Sequence, residues 1–414
     1  MKPCIWYVSK YVAPPDKASV GGRGYLIMRE FARMGYRSVI VTSDSNHHLA
    51  DPPKLESPYL FQEVDGIQLC WIRTMKFSVA KSLRRILSWL DFEWGLWRLP
   101  REKLPTPDVV IVSSLSLLTI LNGFLLRRRY KCRLVFEIRD IWPLTIIEVG
   151  GFSRWNPLVL GLGFIEKLGY RYADAIVGTM PNLGEHVTNI LGRSRVTHCI
   201  PMGVDDATLS IGDELPADYV EKYIPQGKFI VAYVGTIGIN NALDTILGCA
   251  ELMQGAPEVH FLVVGEGALR AHYQRRYDHL SNLTFAPHVP KQMVQSVLSR
   301  CDLSCFSVHV SATWKYGQSL NKMIDYMLAS KPIVASYTGY PSMINEADCG
   351  TYVPAGDITA LRQEILRYAA MDVSQREAIG RRGREWILAH RCYETLAKNY
   401  LAILFDPVVQ KEEG

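Results

Sequence analysis

The sequence predicts an α/β protein built from two parallel-sheet domains in tandem. Strand-like apolar runs alternate with amphipathic helical stretches from one end of the chain to the other. The alternation runs through once, pauses near residues 205–225, and starts again. The chain also has 414 residues and 48% hydrophobic composition, enough for two full cores, whereas one domain of that length would be unusually large.

The first series of strand-like segments covers residues 5–8, 38–42, 67–72, 109–112, 134–137 and 175–178, with 196–200 closing the set. Helical patterns fall between them, for example at 25–34 and 182–191, so the series is Rossmann-like. The second series covers 230–234, 260–264, 283–285, 303–306, 333–335 and 350–353. Long helices with basic residues (Arg381, Arg382, Arg384) occupy about 374–405. Domains are therefore expected at 1–204 and 205–385, with 386–414 a helix crossing back to the first. Tandem parallel sheets place a ligand cleft at the carboxyl ends of their strands.

Composition removes several classes. The net charge of +5 is small, and the basic residues form no stripe, which argues against a nucleic-acid partner. Nine cysteines are scattered without a CxxC or a zinc-type spacing. Cys301 and Cys305, one helical turn apart, read as buried thiols, and the odd, dispersed set fits a reducing compartment. No signal peptide is expected, since the strand-like run at 5–8 opens the sequence. The uncharged run 109–126 is long enough for a membrane span, but Ser113, Ser114, Ser116, Thr119, Asn122 and Gly123 interrupt it. It reads as a buried strand followed by a helix, in a cytosolic protein.

The most informative motif is YGQSLNKMIDYMLASKPIVASYTG, residues 316–339. A helix is expected to begin at Ser319, Leu320, Asn321 and Lys322, where free backbone N–H groups and an ammonium would converge on an anion such as a phosphate. Asp325, three residues on, faces the same way and suits a ribose hydroxyl. The bland alternative is a solvated Lys322–Asp325 ion pair. Context weighs against it, because strand ends elsewhere carry similar loops. Gly235-Thr236-x-Gly238 follows the first strand of the second series, with Asn240 or Asn241 expected to cap the next helix. Gly265-Glu266-Gly267 follows the second strand, with Arg270 one turn into its helix. FAPHVP (285–290) and SVHVS (307–311) end two more. In the first domain Gly21-Gly22-x-Gly24 follows the first strand, but it does not match GxGxxG, which weakens a dehydrogenase reading.

These blocks, together with IPMGVD (200–205), GGRGYLIMREFARMGY (21–36) and RDIWP (139–143), resemble in their order glycosyltransferase family 4, the retaining GT-B enzymes that use nucleotide sugars. The likeness covers nearly the whole chain, and the subgroup it resembles is the WbuB-like enzymes of bacterial surface-polysaccharide pathways. It implies a GT-B fold, two Rossmann-like domains facing each other across a nucleotide-sugar cleft. It implies that Lys322 holds the donor diphosphate and that Asp325 stands in place of the ribose-binding glutamate. Gly22, Gly235, Thr236, Gly238, Gly265, Gly267, Arg270, Ser319, Leu320 and Asn321 would line the donor, and Gly21 the acceptor side. Arg139 and Asp140 stand where a His–Asp pair is usual and become the catalytic candidates beside Lys322. The bland reading of Arg139 is an ion pair with Glu137 or Asp140. The chain departs from the pattern at Gly317, in place of a glutamate, and at Asn240 or Asn241, in place of a lysine. No Asp-x-Asp motif stands out, so a UDP-sugar co-substrate without metal is expected.

One stretch stands apart. Residues 76–103 combine an apolar face (Phe77, Leu83, Ile86, Leu87, Leu90, Trp94, Trp97) with cations (Lys76, Lys81, Arg84, Arg85). Such a helix suits an anionic membrane surface, with tryptophans at headgroup depth; the alternative is an ordinary helix packed on the sheet. Arg127-Arg128-Arg129 and Lys131 add nearby positive charge. With this helix, the resemblance implies a glycosyltransferase on the cytoplasmic face of the inner membrane. It further implies a lipid-linked saccharide acceptor in O-antigen or capsule synthesis, and a donor sugar that is an N-acetylated amino sugar such as N-acetylfucosamine. The rivals are a GT-B UDP-N-acetylglucosamine epimerase and a non-catalytic nucleotide-sugar-binding scaffold.

Overall fold

The computed structural model describes residues 2–12, 14–15, 21–46, 49, 51–76, 83–148, 150–205, 209 and 213–405, leaving the side chains of Leu83, Arg85, Arg101 and Asn240 undescribed. The chain forms two compact units. One is Met1–Gly203 joined by the terminal segment from Tyr393, and the other is Val204–Cys392.

The first unit is built on eight strands in the order β3-β4-β2-β1-β5-β6-β7-β8. They are β1 Cys4–Val8, β2 Arg37–Ser43, β3 Tyr59–Val64, β4 Ile67–Ile72, β5 Val109–Ser113, β6 Arg133–Ile138, β7 Ala175–Gly178 and β8 His198–Cys199. All neighbours pair in parallel except β3, which runs antiparallel to β4 along the edge. Central β1 and β5 are buried throughout, because a parallel sheet covered on both faces needs continuous apolar strands. Sequence reading anticipated these strands but missed β3, which is half-exposed and whose apolar run stops after Tyr59-Leu60-Phe61. It also extended the last strand to 196–200, where only His198–Cys199 pairs. The run 109–126 divides into β5 and helix α3, and among the described residues no helix is long and apolar enough to cross a membrane.

The helices of this unit are α1 Arg23–Arg33, α2 Leu83–Trp97, α3 Thr119–Tyr130, α4 Leu144–Glu148, α5 Pro157–Tyr172 and α6 Leu183–Leu191. Helix α1 packs against the last helix of the chain, Tyr393–Phe405, through Phe31 on Tyr400 with ring centroids 5.9 Å apart. A buried ion pair fixes this corner: Arg23 Nη1 lies 2.7 Å from Glu137 Oε1, and neither side chain is exposed. Arg23 also donates to the carbonyls of Pro201 at 3.0 Å and Ile200 at 2.6 Å. Glu137 accepts further bonds from the hydroxyls of Tyr7 and Tyr400.

The second unit is a six-stranded sheet in the order β11-β10-β9-β12-β13-β14, parallel throughout. Its strands are β9 Phe229–Val234, β10 Val259–Val264, β11 Leu283–Ala286, β12 Leu303–Ser307, β13 Ile333–Ser336 and β14 Gly350–Val353. Chain order reverses between β9 and β12, which makes their carboxyl ends the switch point where α/β sheets hold ligands. The helices are α7 Ala217–Tyr223, α8 Leu243–Leu252, α9 Arg270–Tyr277, α10 Val294–Ser299, α11 Asn321–Leu328, α12 Ile358–Ala369 and α13 Val373–Arg391. Helix α13 stops at Cys392, whose extended backbone (φ −62°, ψ 139°) pairs with Val204. The final helix, α14 Tyr393–Phe405, then belongs to the first unit, so the change of unit falls at Cys392 rather than 386.

Candidate functional site

The switch point is organised by two residues of α11. β9 and β12 pair at Leu303–Val231 and Ser304–Ala232 and then diverge. Tyr326 fills the fork: its hydroxyl accepts from Val234 N at 2.9 Å and lies 3.2 Å from Val234 O. Lys322, one turn earlier, sits at the carboxyl end of β9. Its Nζ donates to Asn241 Oδ1 at 2.5 Å and to the Tyr233 hydroxyl at 3.3 Å, and stands 4.8 Å from the centre of the Tyr233 ring. The Tyr233 hydroxyl donates its own proton to Thr236 O at 2.7 Å, which leaves a lone pair facing the lysine. No carboxylate among the described residues neutralises this ammonium, and burial lowers its pKa to about 8. The residue before the helix, Leu320, has no side-chain acceptor to offer the first N–H groups. A partly desolvated cation at an uncapped helix start favours an incoming polyanion.

Asp325 does not pair with Lys322. Its carboxylate takes the ammonium of Lys291, from the turn after β11, and Gln295 Nε2 donates to its backbone carbonyl at 3.1 Å. Burial raises the Asp325 pKa and Lys291 pulls against that rise. Lys291 is half-exposed while Asp325 is nearly covered, so the lysine forms the outer wall of the carboxylate's niche. The solvated Lys322–Asp325 pair is thus absent, and each residue has its own partner on another loop. Lys291 was passed over in the sequence, where its one signal was its place right after FAPHVP.

The glycine loops are zipped to one another. Gly235 N donates to Val264 O at 3.0 Å, and Ile237 N to Glu266 O at 2.9 Å. At Gly265 (φ 150°) a Cβ would fall 1.9 Å from Gly235 O, and at Gly267 (φ 157°) one would fall 2.2 Å from Ile237 O. These two glycines therefore allow loop-on-loop contact, and the Gly235 N–H, expected to face a phosphate, is already bonded. Arg270 is likewise committed: its guanidinium donates to the carbonyls of Gly265, Ala286 (2.8 Å) and Phe285 (3.4 Å). It clamps two strand ends together. Asn241 does not cap α8, whose first turn follows Ala242 with no side-chain cap. It binds Lys322 and donates Nδ2 to Thr236 O at 2.8 Å instead; the Asn240 side chain lies outside the described residues. Gly238 (extended, φ −138°) and Ser319 flank the lysine's loop and helix start.

In the first unit, the candidates Arg139 and Asp140 follow β6. Ser114 Oγ shapes their loop, accepting from the N–H groups of Arg139 (3.0 Å) and Asp140 (3.3 Å) and donating to Asp140 O (2.9 Å). Arg139 reaches Met202 Sδ at 3.7 Å, so the direct partner of Glu137 is Arg23, a residue that the sequence reading left unassigned. Asp140 is exposed at its surface, and the protein packed around it raises its pKa by desolvation, with Arg139 opposing. Gly21 (φ 101°) and Gly22, the extended residue before α1, form the turn at the start of that helix.

Helix α2 lies across the carboxyl edge of this sheet. Trp89 Nε1 donates to the hydroxyl of Tyr11 (2.7 Å), and Glu93 accepts from Thr119 (2.6 Å) and Asn122 (2.7 Å). Ser88, Trp89, Phe92 and Leu96 are buried, whereas Leu87 (49%), Leu90 (52%), Trp94 (55%) and Trp97 (50%) form an exposed stripe at helical spacing. One face of the helix is therefore packed, as the ordinary-helix reading expects, and the other is open. Arg84 is exposed; Phe77 and Lys81 lie outside the described residues, as does the Arg85 side chain.

The lysine's altered pKa makes a pH prediction. Because burial lowers it to about 8, the ammonium is lost as pH rises through that value, and a bound diphosphate would hold the proton on. UDP binding is therefore expected to take up a proton and to weaken by up to about tenfold per pH unit above ~8. Titration calorimetry in buffers of different ionisation enthalpy reads this directly. An affinity flat from pH 7 to 10 would remove Lys322 from the diphosphate.

Two parallel-sheet units in one chain, one with a part-buried lysine at its switch point, define the class: a GT-B glycosyltransferase. The family described as glycosyl transferase 4-like domain matches residues 24–203, and glycosyl transferases group 1 matches 228–371. Between them the two matches take in most of the chain, which belongs to the glycosyltransferases. A search of curated proteins finds no match. Solved structures similar in fold include a sucrose-phosphate synthase from Thermosynechococcus elongatus (18% identity, 97% of this chain and 98% of that one, TM-score 0.71). An alpha,alpha-trehalose-phosphate synthase (UDP-forming) from Burkholderia vietnamiensis is another (14%, 98% and 98%, 0.71). Anabaena Alr3699/HepE, in complex with UDP and glucose, is a third (14%, 97% and 98%, 0.62).

Proposed function

We propose that the protein is a retaining glycosyltransferase that moves a sugar from a UDP-sugar to a lipid-linked saccharide in bacterial surface-polysaccharide synthesis, as in the WbuB-like subgroup. The observation that carries the reading is Lys322. It is a part-buried ammonium with no carboxylate partner among the described residues, at an uncapped helix start, on the switch point of a parallel sheet. Such a group stabilises the charge that grows on a departing diphosphate. Retention follows from front-face displacement, in which the leaving diphosphate helps to take the acceptor proton. UDP as the nucleotude carrier is supported by the UDP complex of the Anabaena protein similar in fold. The lipid-linked acceptor and a position on the inner face of the cytoplasmic membrane are supported by the exposed Leu87, Leu90, Trp94 and Trp97 stripe. An N-acetylated amino sugar is our choice of donor, to be tested in a panel of UDP-sugars.

The deciding experiment follows radiolabel from UDP-sugars into a lipid extract of bacterial membranes. Label in the lipid phase supports transfer; a free epimer would replace it with epimerisation, and neither product would leave a binding scaffold. Because a lysine rather than a metal is proposed to meet the diphosphate, turnover is expected to survive EDTA. Strict dependence on added magnesium or manganese would refute that part of the mechanism.

A further inference from the structure

A cavity of about 530 Å³ opens beside the exposed stripe of α2, lined by Tyr59, Arg73, Met75, Asp91, Trp94 and Arg98 among others. It lies at the carboxyl end of β4, on the edge where Arg139 and Asp140 also emerge from β6. Its size is that of a small-molecule site. Its charge is net positive: Arg73 and Arg98 face a single carboxylate, and Asp91 Oδ2 is already bonded to Met75 N at 2.7 Å. Arg73 spends one nitrogen on Glu56 O at 3.1 Å. The Arg98 guanidinium lies 5.2 Å from the centre of the Trp94 ring and makes no side-chain hydrogen bond among the described residues. Guanidinium forks of this kind match phosphate oxygens in pairs. Trp94 belongs to both features, since it walls the cavity and continues the stripe of Leu87, Leu90 and Trp97.

We propose that this cavity binds the phosphate or diphosphate head of the lipid that carries the acceptor saccharide, with the lipid chain lying along Leu87, Leu90, Trp94 and Trp97. The inference rests on the reading of the acceptor as lipid-linked, and it adds the residues that recognise it. A cationic pocket alone would take any small anion, and an apolar stripe alone any hydrophobic surface. Their junction at one tryptophan selects a molecule with an anionic head on an apolar tail. The placement also makes chemical sense, because it anchors the acceptor at the sheet edge that carries the loops of the first unit.

The test is calorimetric binding of farnesyl diphosphate, farnesol and inorganic pyrophosphate, each with saturating UDP present to occupy the donor site. Farnesyl diphosphate is expected to bind at least about tenfold more tightly than either fragment. Arg73→Gln/Arg98→Gln should weaken it by about tenfold or more, since charge-assisted bonds are lost, while UDP affinity stays unchanged. Arg98→Gln alone, at an exposed position, should weaken it several-fold and serves as the variant that cannot disturb the fold. Unchanged binding in both variants would overturn the proposal. Pyrophosphate binding as tightly as farnesyl diphosphate would also overturn it, making the cavity a free-anion site. Label that never enters a lipid extract counts against the transferase reading, whereas arginine-independent binding counts against this cavity alone.

Discussion

Lys322→Ala is expected to lower turnover at saturating donor by about two to three orders of magnitude while the fold survives. The size follows from losing one group that stabilises developing charge, about 3–4 kcal/mol. The fold should survive because the ammonium is a burden to it. Burial depresses the lysine's pKa from 10.5 to about 8, so the charged form is disfavoured in the folded chain. The wild-type protein should therefore gain stability as pH rises from ~8 towards 10.5, and the alanine variant should lose that slope. Asp325→Asn should act differently. It frees Lys291 from its carboxylate and weakens UDP binding by about 1–2 kcal/mol, with little change in turnover at saturation. A Lys322→Ala enzyme that keeps more than about a tenth of the wild-type rate would move the phosphate role elsewhere. Lys291 is then the group to test, since the Arg270 guanidinium is already committed to backbone carbonyls.

Arg23→Met is expected to destabilise the first unit by about 3–5 kcal/mol, because it strands Glu137 as a buried charge. Glu137 is fully covered, and Arg23 is its one direct cationic partner among the described residues. Burial pushes the Glu137 carboxyl upward, but Arg23, Arg139 and the Tyr7 hydroxyl outweigh it and hold it below the ordinary range. The contribution of the pair is whole above that range and fades as pH falls through the lowered pKa. Chemical unfolding measures the loss. Arg23→Met/Glu137→Leu should recover much of it, since replacing both members with apolar groups removes the stranded charge. If the single variant costs less than about 1 kcal/mol, the network at Tyr7, Glu137 and Tyr400 is not what holds this corner.

Much of the architecture was legible in the sequence, for a local reason. A buried parallel strand must be apolar throughout and a crossover helix must be apolar on one side, so β1, β5, β9 and β13 announce themselves within a few residues. Edge strand β3 satisfies neither demand and was invisible. The start of α11 was equally legible, since Lys322 needs only its own helix to be placed at an N-terminus. Partnerships were not legible. Asp325 meets Lys291 on a loop 34 residues away, Arg23 meets Glu137 across 114, and Lys322 meets Asn241 across 81. By itself the sequence determined the two-sheet order, the strand-end loops and the lysine at a helix start, because propensity and periodicity act over one or two turns. Only the tertiary structure decided which carboxylate each cation faces, that Arg270 is a clamp, and that α2 lies open along a sheet edge. Those outcomes depend on which distant segments the packed cores bring within 3 Å, and no local pattern encodes that distance.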